Sequence, residues 1–387
     1  MSEKVKQNIS VNCPPALLQP GSVIGILGSG QLGRMLALAA ARLGLQCHIY
    51  SNEDQGPAVE VAAHATQGGY DDYELLDAFA AAVDVITYEF ENVPVSTVRR
   101  LSDKKSVYPP PGALEIAQDR LVEKQFIRDL GIAVAPFEDV SSEAELVAAV
   151  RRLGTPAILK TRSFGYDGKG QVRINMDTDL SKAYKEIAGA SAILEGFVHF
   201  QREISVILAR GREPAGESVF ADMIYDMPVN IHEKGILKSS TVPAPLCTQV
   251  RREAEDIARD IASALDYVGI LAVELFDAGD DRENRLTVNE IAPRVHNSGH
   301  WTMDACCVDQ FENHIRAVAG WPLGTTERYA DVEMMNLIGA DVEQWRSFSE
   351  QSGVALHLYG KKETSSSRKM GHINRLKRRS ASLNATS

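Results

Sequence analysis

Two hydrophobic periods alternate along the first part of the chain. Val23–Leu27 is an unbroken apolar run, as a strand covered on both faces requires. Gly28-Ser-Gly-Gln-Leu-Gly33 follows, then "RMLALAAARLG", apolar at helical spacing as far as Gly44, then a second strand at Gln46–Tyr50. With a later strand in "VDVITYEFENVP", this order predicts a doubly wound α/β domain over 21–115, closed by the turn-rich "YPPPG". Helical periodicity returns at Gln118–Leu130 and Ser142–Leu153. The strand "AILK", the glycine-rich "SFGYDGKGQ", the strand "VRI", a helix at Leu180–Ile187 and the strands "AILEGFV" and "REISVILAR" come next. They predict a small α+β subdomain at about 133–197 within a larger unit, 116–320. A helix at Gln249–Asp266 and two strands joined by "DAGDDRENR" complete that unit. From 321 to 376 the short strands "VEMMNLIG" and "VALHLYG" predict a β-rich domain, with 1–20 a lead-in and 377–387 a Ser- and Arg-rich tail.

One polar side chain breaks the apolar run "ILAVELF": Glu274. An ionised carboxylate among apolar neighbours is costly unless paired or bound to a cation. A hairpin centred near Arg282 puts Glu274 eight residues before its centre and Glu290 eight after. Residues so opposed have Cβ atoms about 5 Å apart, where like charges repel. Either one carboxyl is protonated or a cation lies between them, and two hard oxygen ligands suit Mg²⁺. The alternative is that Arg294 or Arg285 neutralises one glutamate; spacing alone does not choose. The second strand runs into "NEIAPRVHNSGHWT", which no apolar stripe continues.

Composition narrows the classes. The 387 residues carry a net charge of −11 and a pI near 5.4, which argues against nucleic-acid or anionic-membrane partners. The five cysteines lack disulfide-framework spacing, so a reducing cytoplasm is expected. The N-terminal residues have no apolar signal region, and no run reaches the ~18 apolar residues of a membrane helix.

Two loops could hold phosphate. Gly28-x-Gly-x-x-Gly33, with Glu53 about twenty residues on, fits a dinucleotide fingerprint. The same glycines equally allow a tight turn around any anion at a helix N-terminus. In "LKTRSFGYDGKGQ", Lys160 ends a strand, and Gly165, Gly168 and Gly170 give a mobile backbone; the alternative is a hairpin turn with a solvated lysine. His296 and His300 with Cys306 and Cys307 weakly suggest zinc, but no HExxH helix contains them, and vicinal cysteines in an apolar helix are usually core.

Together these features resemble the ATP-grasp family: a lysine before a glycine-rich lid, an interdomain "LEGFV", and paired glutamates on a hairpin ending in Asn-Glu. The likeness runs from Gly21 to about Leu376, through "GILGSGQLGRML", "TYEFENV", "AQDRLVEKQF", "GYDGKGQ", "EIAPRVHNSGHWT" and "RKMGHI". It is strongest to the branch that joins bicarbonate to the exocyclic amine of 5-aminoimidazole ribonucleotide at the expense of ATP. The resemblance implies an ATP-grasp fold with a Rossmann-like N-terminal domain that takes the ribonucleotide, a lid and a small C-terminal β-rich domain. By the same resemblance, Arg120, Lys160, Gly165, Tyr166, Asp167, Gly168, Lys169, Gly170, Gln171, Glu195, Gly196, Phe197, Val198, Glu203, His232, Asn289 and Glu290 match the ATP-binding set. Glu274 and Glu290 match the family's magnesium ligands. Gln31, Glu89, Tyr166, Asp167, Lys361, Arg368 and Lys369 resemble its ribonucleotide contacts. Arg294 and His296 match residues placed at bicarbonate, which with Lys160 would form the catalytic group. ATP would convert bicarbonate to carboxyphosphate, and a closed lid would keep water away. A cytoplasmic homodimer is likewise implied by the resemblance.

Two positions depart from the pattern. Ala292 stands where many ATP-grasp chains have asparagine, and Ser365-Ser366-Ser367 replaces an Arg-Pro-Gly-like turn. Three rival readings stay open here: formate-dependent glycinamide ribonucleotide formyl transfer on the same fold, an NAD-dependent dehydrogenase built on Gly28 to Gly33, and a nucleotide-binding module without turnover.

Overall fold

The computed structural model describes residues 17–163, 165, 170–212, 220–279 and 285–379. Strands β1 (Val23–Leu27), β2 (Gln46–Ser51), β3 (His64–Gln67) and β4 (Val85–Tyr88) form a parallel sheet in the order β3-β2-β1-β4. The helix Gln31–Arg42 buries Leu32, Met35, Leu36, Ala39 and Ala40, as its spacing predicts. The expected α/β architecture is therefore present, and its glycine turn sits at the carboxyl end of the central strand.

A second, antiparallel sheet is smaller: β5 (Phe137–Val140), β6 (Ala157–Thr161), β7 (Gln171–Ile174) and β8 (Ala192–Gly196), ordered β5-β8-β6-β7. Ser142 caps its helix Glu143–Leu153 by accepting from the Glu145 N–H. This unit occupies the span of the expected lid. The expectations for Tyr166, Asp167, Gly168 and Lys169 lie outside the described residues, as does the hairpin centre near Arg282.

Everything after the lid builds on one large antiparallel sheet. Its strands are β9 (Arg202–Arg212), β10 (Phe220–Ile224), β11 (Val229–Glu233), β12 (Ile236–Val242), β13 (Gly269–Asp277), β14 (Leu286–Ala292), β15 (Ala330–Ile338), β16 (Val354–Leu358) and β17 (Lys369–Arg378). Among the described residues the order is β14-β13-β9-β11-β12-β15-β17-β16, with β10 paired to β9. The C-terminal strands thus extend the same sheet that carries Glu274.

Two elements escape the hydrophobic pattern. The helix Gln310–Val318 buries Gln310, Asn313 and His314 completely, so no polar face marks it in sequence. The vicinal cysteines lie past the four-residue helix Thr302–Ala305 rather than within one: Cys306 is buried and Cys307 exposed. The helix expectation is thereby corrected, and only one of the pair is core.

His314 ties the first sheet to the large one. Its Nδ1 accepts from the Ile270 N–H at 3.1 Å, and its Nε2 lies 2.8 Å from Thr87 Oγ1. Burial pushes this imidazole down to about 3, so it is neutral in the fold, whereas the unfolded chain takes up a proton near 6.5. Between those values the unfolded state binds more protons, so this contribution is lost as pH falls below about 6.5. At pH 5 the loss is about 2 kcal/mol. Urea unfolding at pH 7.5 and pH 5 should show His314→Gln losing about 2 kcal/mol less than the parent over that interval. Equal losses would mean that this histidine does not set the acid sensitivity.

Candidate active site

The β13–β14 register places Glu274 opposite Glu290, as the hairpin reading requires. The ladder then slips, Leu275 opposing Val288, so Asn289 is the extra residue of a β-bulge. The helix Arg120–Asp129, capped by Asp119, pins that bulge. Lys124 Nζ donates to the carbonyls of Asn289 at 2.6 Å and Val288 at 3.3 Å, and Glu123 accepts from the Ile291 N–H at 2.6 Å. Arg120, Glu123 and Lys124 stand three and four residues apart, which puts them on one helix face toward β14.

Arg120 supplies the cation beside the acid pair, its Nη1 lying 2.8 Å from Glu290 Oε2. The alternative drawn from spacing, neutralisation by Arg294 or Arg285, is corrected: Arg285 bonds Asp277 and Arg294 bonds Glu91. Arg120 is remote in sequence, so hairpin spacing cannot reveal it. Burial and the charge of Glu290 push Glu274 up to about 7. Burial also opposes ionisation of Glu290, but Arg120 overcomes it and holds that carboxyl at about 2. Glu290 also keeps 39% of its side chain open to the cleft, while Glu274 keeps 11%. The pair therefore shares its charge unevenly, Glu290 being ionised and Glu274 the more readily protonated of the two. Two hard oxygen donors facing a cleft fit a divalent cation that leaves its other positions to phosphate and water.

Lys160, on β6, reaches across the lid sheet to Glu195 on β8, Nζ to Oε2 2.9 Å, with Lys124 Nζ 3.8 Å from the same oxygen. Burial acts against the Glu195 charge, but the two ammonium groups hold its pKa below the usual carboxylate value. Arg120 Nη2 donates to the Gly165 carbonyl at 3.3 Å, and Gly170 and Gln171 lead into β7. The N–H groups of Gly196 and Phe197 are taken by the carbonyls of Pro136 and Pro156. No backbone partner of the Val198 N–H occurs among the described residues. Glu203 and His232 form an ion pair at 2.5 Å. Among the described residues Asn289 Oδ1 is buried without a hydrogen-bond partner.

The N-terminal glycine loop is not an open anion cradle. Glu89 fills it, accepting from the Gly30 N–H at 2.6 Å and the Gly33 N–H at 2.7 Å. A Cβ on Gly30 would lie 2.6 Å from Glu89 Oε1, so glycine is required by a carboxylate of the chain itself. That seat is where a dinucleotide would place its pyrophosphate, so the expectation that these glycines hold a ligand anion is corrected for this arrangement. Two residues on, Glu91 bonds the Nε and Nη2 edge of Arg294. Gln31 opens the neighbouring helix. The charges of Arg294 and Lys361 act on Glu89, and that of Lys369 on His296, so the C-terminal basic residues border the same cleft. Arg368 is exposed and donates to the Glu363 carbonyl at 3.3 Å. The serine run still makes a turn, since the Ser365 carbonyl accepts from the Arg368 N–H at 3.0 Å.

His296 faces the acid pair, Nε2 3.5 Å from Glu274 Oε1, and burial then Arg294 push its pKa to about 3, so it is a neutral imidazole. His300 turns away: its Nδ1 meets Gln310 Nε2 at 3.1 Å and its ring packs on Phe311 and His372. Among the described residues no group of three or more His, Cys, Asp or Glu side chains gathers these residues as a zinc site would. Sequence reasoning passed over Glu91, Glu123 and Lys124; two adjacent charges inside an amphipathic helix were the only local signal for the last two.

Comparison with known proteins agrees along the chain. Residues 22–118 match a ribonucleotide synthetase preATP-grasp domain, 125–311 the ATP-grasp domain and 333–386 a phosphoribosylaminoimidazole carboxylase C-terminal domain. An N5-carboxyaminoimidazole ribonucleotide synthase of Brucella melitensis is 51% identical, the match covering 94% of this chain and 98% of the relative. The ADP-complexed N5-carboxyaminoimidazole synthetase of Staphylococcus aureus superposes with a TM-score of 0.88 at 36% identity, covering 94% of this chain and 95% of that one. The Aspergillus clavatus N5-carboxyaminoimidazole synthase with ADP and 5-aminoimidazole ribonucleotide gives 0.85 at 28% identity, covering 93% and 94%.

Proposed function

The chain belongs to the N5-carboxyaminoimidazole ribonucleotide synthases, a family of ATP-grasp ligases, and from that premise we propose how its cleft divides the work. The reaction is the ATP-dependent carboxylation of 5-aminoimidazole ribonucleotide in purine biosynthesis. Our reading takes bicarbonate as the carbon source. A bicarbonate oxygen attacks the γ-phosphorus, the bond to the β-phosphate oxygen breaks, and ADP leaves carboxyphosphate. Carboxyphosphate then releases phosphate and CO₂ beside the exocyclic amine, whose nitrogen takes the carbon.

The observation that carries this reading is the opposed Glu274–Glu290 pair with Arg294 and His296 at the end of the same strand. Glu274 and Glu290 would hold Mg²⁺, which when bound neutralises charge on the transferring phosphoryl group. Lys160 and Arg120 add positive charge on the ATP side. Glu195 to Val198 would edge the base, with the Val198 N–H as its donor; Glu203 and His232, which pair with each other, would flank the nucleotide, and the buried Asn289 oxygen would serve there as well. Gln31, Glu89, Lys361, Arg368 and Lys369 would take the ribonucleotide, and Arg294 and His296 the bicarbonate. By the family likeness Tyr166, Asp167, Gly168 and Lys169 would contact ATP, and Tyr166 and Asp167 the ribonucleotide as well. The family likeness also extends to a homodimer acting in the cytoplasm. A coupled ADP-release assay varying 5-aminoimidazole ribonucleotide and bicarbonate independently tests the reading. ADP release should need both, and release that ignores the ribonucleotide would overturn it.

A further inference from the structure

Beneath His296 a row of buried polar side chains crosses four neighbouring strands of the large sheet. Glu274 on β13 pairs with Ser205 on β9, Asn230 lies on β11, and Ser240 opposite it on β12. Ser205, Ser240 and Ser298 are fully buried and Asn230 nearly so, beside buried apolar neighbours such as Ile204, Val206 and Leu237. The contacts form one unbroken chain. Ser240 Oγ donates to Asn230 Oδ1 at 2.7 Å, Asn230 Nδ2 to Ser205 Oγ at 3.0 Å, and Ser205 Oγ meets Ser298 Oγ at 2.6 Å. Ser298 Oγ lies 2.8 Å from His296 Nδ1.

Hydroxyls, an amide and an imidazole can each run such a chain in either direction. A backbone N–H cannot reverse, and that of Ser298 points at His296 Nδ1 at 3.4 Å. A nitrogen receiving an N–H carries no proton of its own, so Ser298 Oγ must also donate to it. Ser298 then accepts from Ser205, Ser205 from Asn230, and Asn230 from Ser240, which is the polarity of every assigned contact. The one ring proton is left on Nε2, the nitrogen that faces Glu274 at 3.5 Å.

We propose that Ser298, Ser205 and Asn230 are positioning residues that lock His296 in its Nε2–H form, aimed as a hydrogen-bond donor at the oxyanion beside the acid pair. The inference deepens the bicarbonate site proposed above and rests on that reading for its chemistry. A histidine whose tautomer is fixed from behind presents one defined donor without reorganising as charge develops, which is how a supporting shell acts on a working group. In the local sequence only Ser205 stands out, a lone polar residue in "ISVILA".

Nitrogen-15 spectra of the full-length protein, labelled at histidine, test the lock without turnover. The His296 signals are found among the nine histidines by difference from His296→Asn. The parent should show an unprotonated, hydrogen-bonded Nδ1 and a protonated Nε2. In Ser298→Ala, and more weakly in Ser205→Ala, the Nδ1 signal should move toward that of a free ring nitrogen or exchange with an Nδ1–H form. Carboxylation kcat should fall on the order of tenfold in Ser298→Ala, as loss of one buried hydrogen bond implies, with the KM for ATP unchanged. Ser298→Thr, which keeps the hydroxyl, should restore much of it. A parent carrying its proton on Nδ1, or an Nδ1 signal identical in all folded variants, would overturn the proposal. So would an undiminished kcat in Ser298→Ala. If the parent fails to carboxylate 5-aminoimidazole ribonucleotide, the functional reading fails while the spectra still report on the lock.

Discussion

Glu274→Gln and Glu290→Gln should each cut ATP turnover on the order of a hundredfold or more, because each removes one charged ligand from a site asked to supply several kcal/mol. Their effects on the fold should differ. Burial already pushes the Glu274 carboxyl up to about 7, and an amide resembles the protonated acid, so Glu274→Gln should cost no stability near neutral pH. Glu290→Gln leaves Arg120 without the partner that holds Glu290 ionised. With 39% of the Glu290 side chain open to cleft water, that loss should be only about 1 kcal/mol. Steady-state ADP release at modest magnesium and urea unfolding of both variants check the two halves. Full turnover in either variant would remove the pair from the metal site, and equal destabilisation would mean that the charge is not divided in this way.

Lys160→Ala should lower kcat/KM for ATP by roughly a hundredfold, the usual scale for losing one donor aimed at developing charge. The β6 strand fixes the direction of this side chain, and the residue is only 9% exposed, so the ammonium cannot be replaced by a neighbour swinging in. Glu195 would keep Lys124, 3.8 Å away, as its counter-ion, so the fold should survive the substitution. Lys160→Arg should rescue poorly, since a planar guanidinium does not fit the seat of a compact ammonium. Calorimetric ATP binding beside initial rates measures this. Unchanged values for both would reduce Lys160 to a partner of Glu195.

Local patterns carried the first sheet, the lid helices and the β13–β14 register, because there burial follows from spacing that a single segment displays. The opposed glutamates were legible for the same reason: hairpin register is arithmetic once both strands are recognised. What sequence withheld depends on contacts between distant segments. Arg120 reaches Glu290 across 170 residues, and Glu91 reaches Arg294 across 203. The glycine turn looked like a cradle for an external anion because nothing local shows that Glu89 folds back into it. Helix Gln310–Val318 was invisible for another reason: it is buried on nearly every side, with polar and apolar residues interleaved.

The arrangement of the cores decides what can move. Met35 and Leu36 of the first domain pack in one cluster with Phe311 and Ile315 and with Ile207, Val332 and Met334 of the large sheet. The lid keeps a cluster of its own, Val140, Leu146, Leu159, Ile174 and Leu194 among its members. Lobes that share a core open together at close to the global unfolding free energy, whereas a self-contained one can swing or melt at lower cost. Among the described residues the lid cluster includes no residue of the other two sheets, and Lys160 lies on its strand β6. On the proposed reading, a lid that swings as its own unit would carry the Lys160–Glu195 pair toward or away from the acid pair, and amide exchange should be faster in β5 to β8 than in β9 or β13.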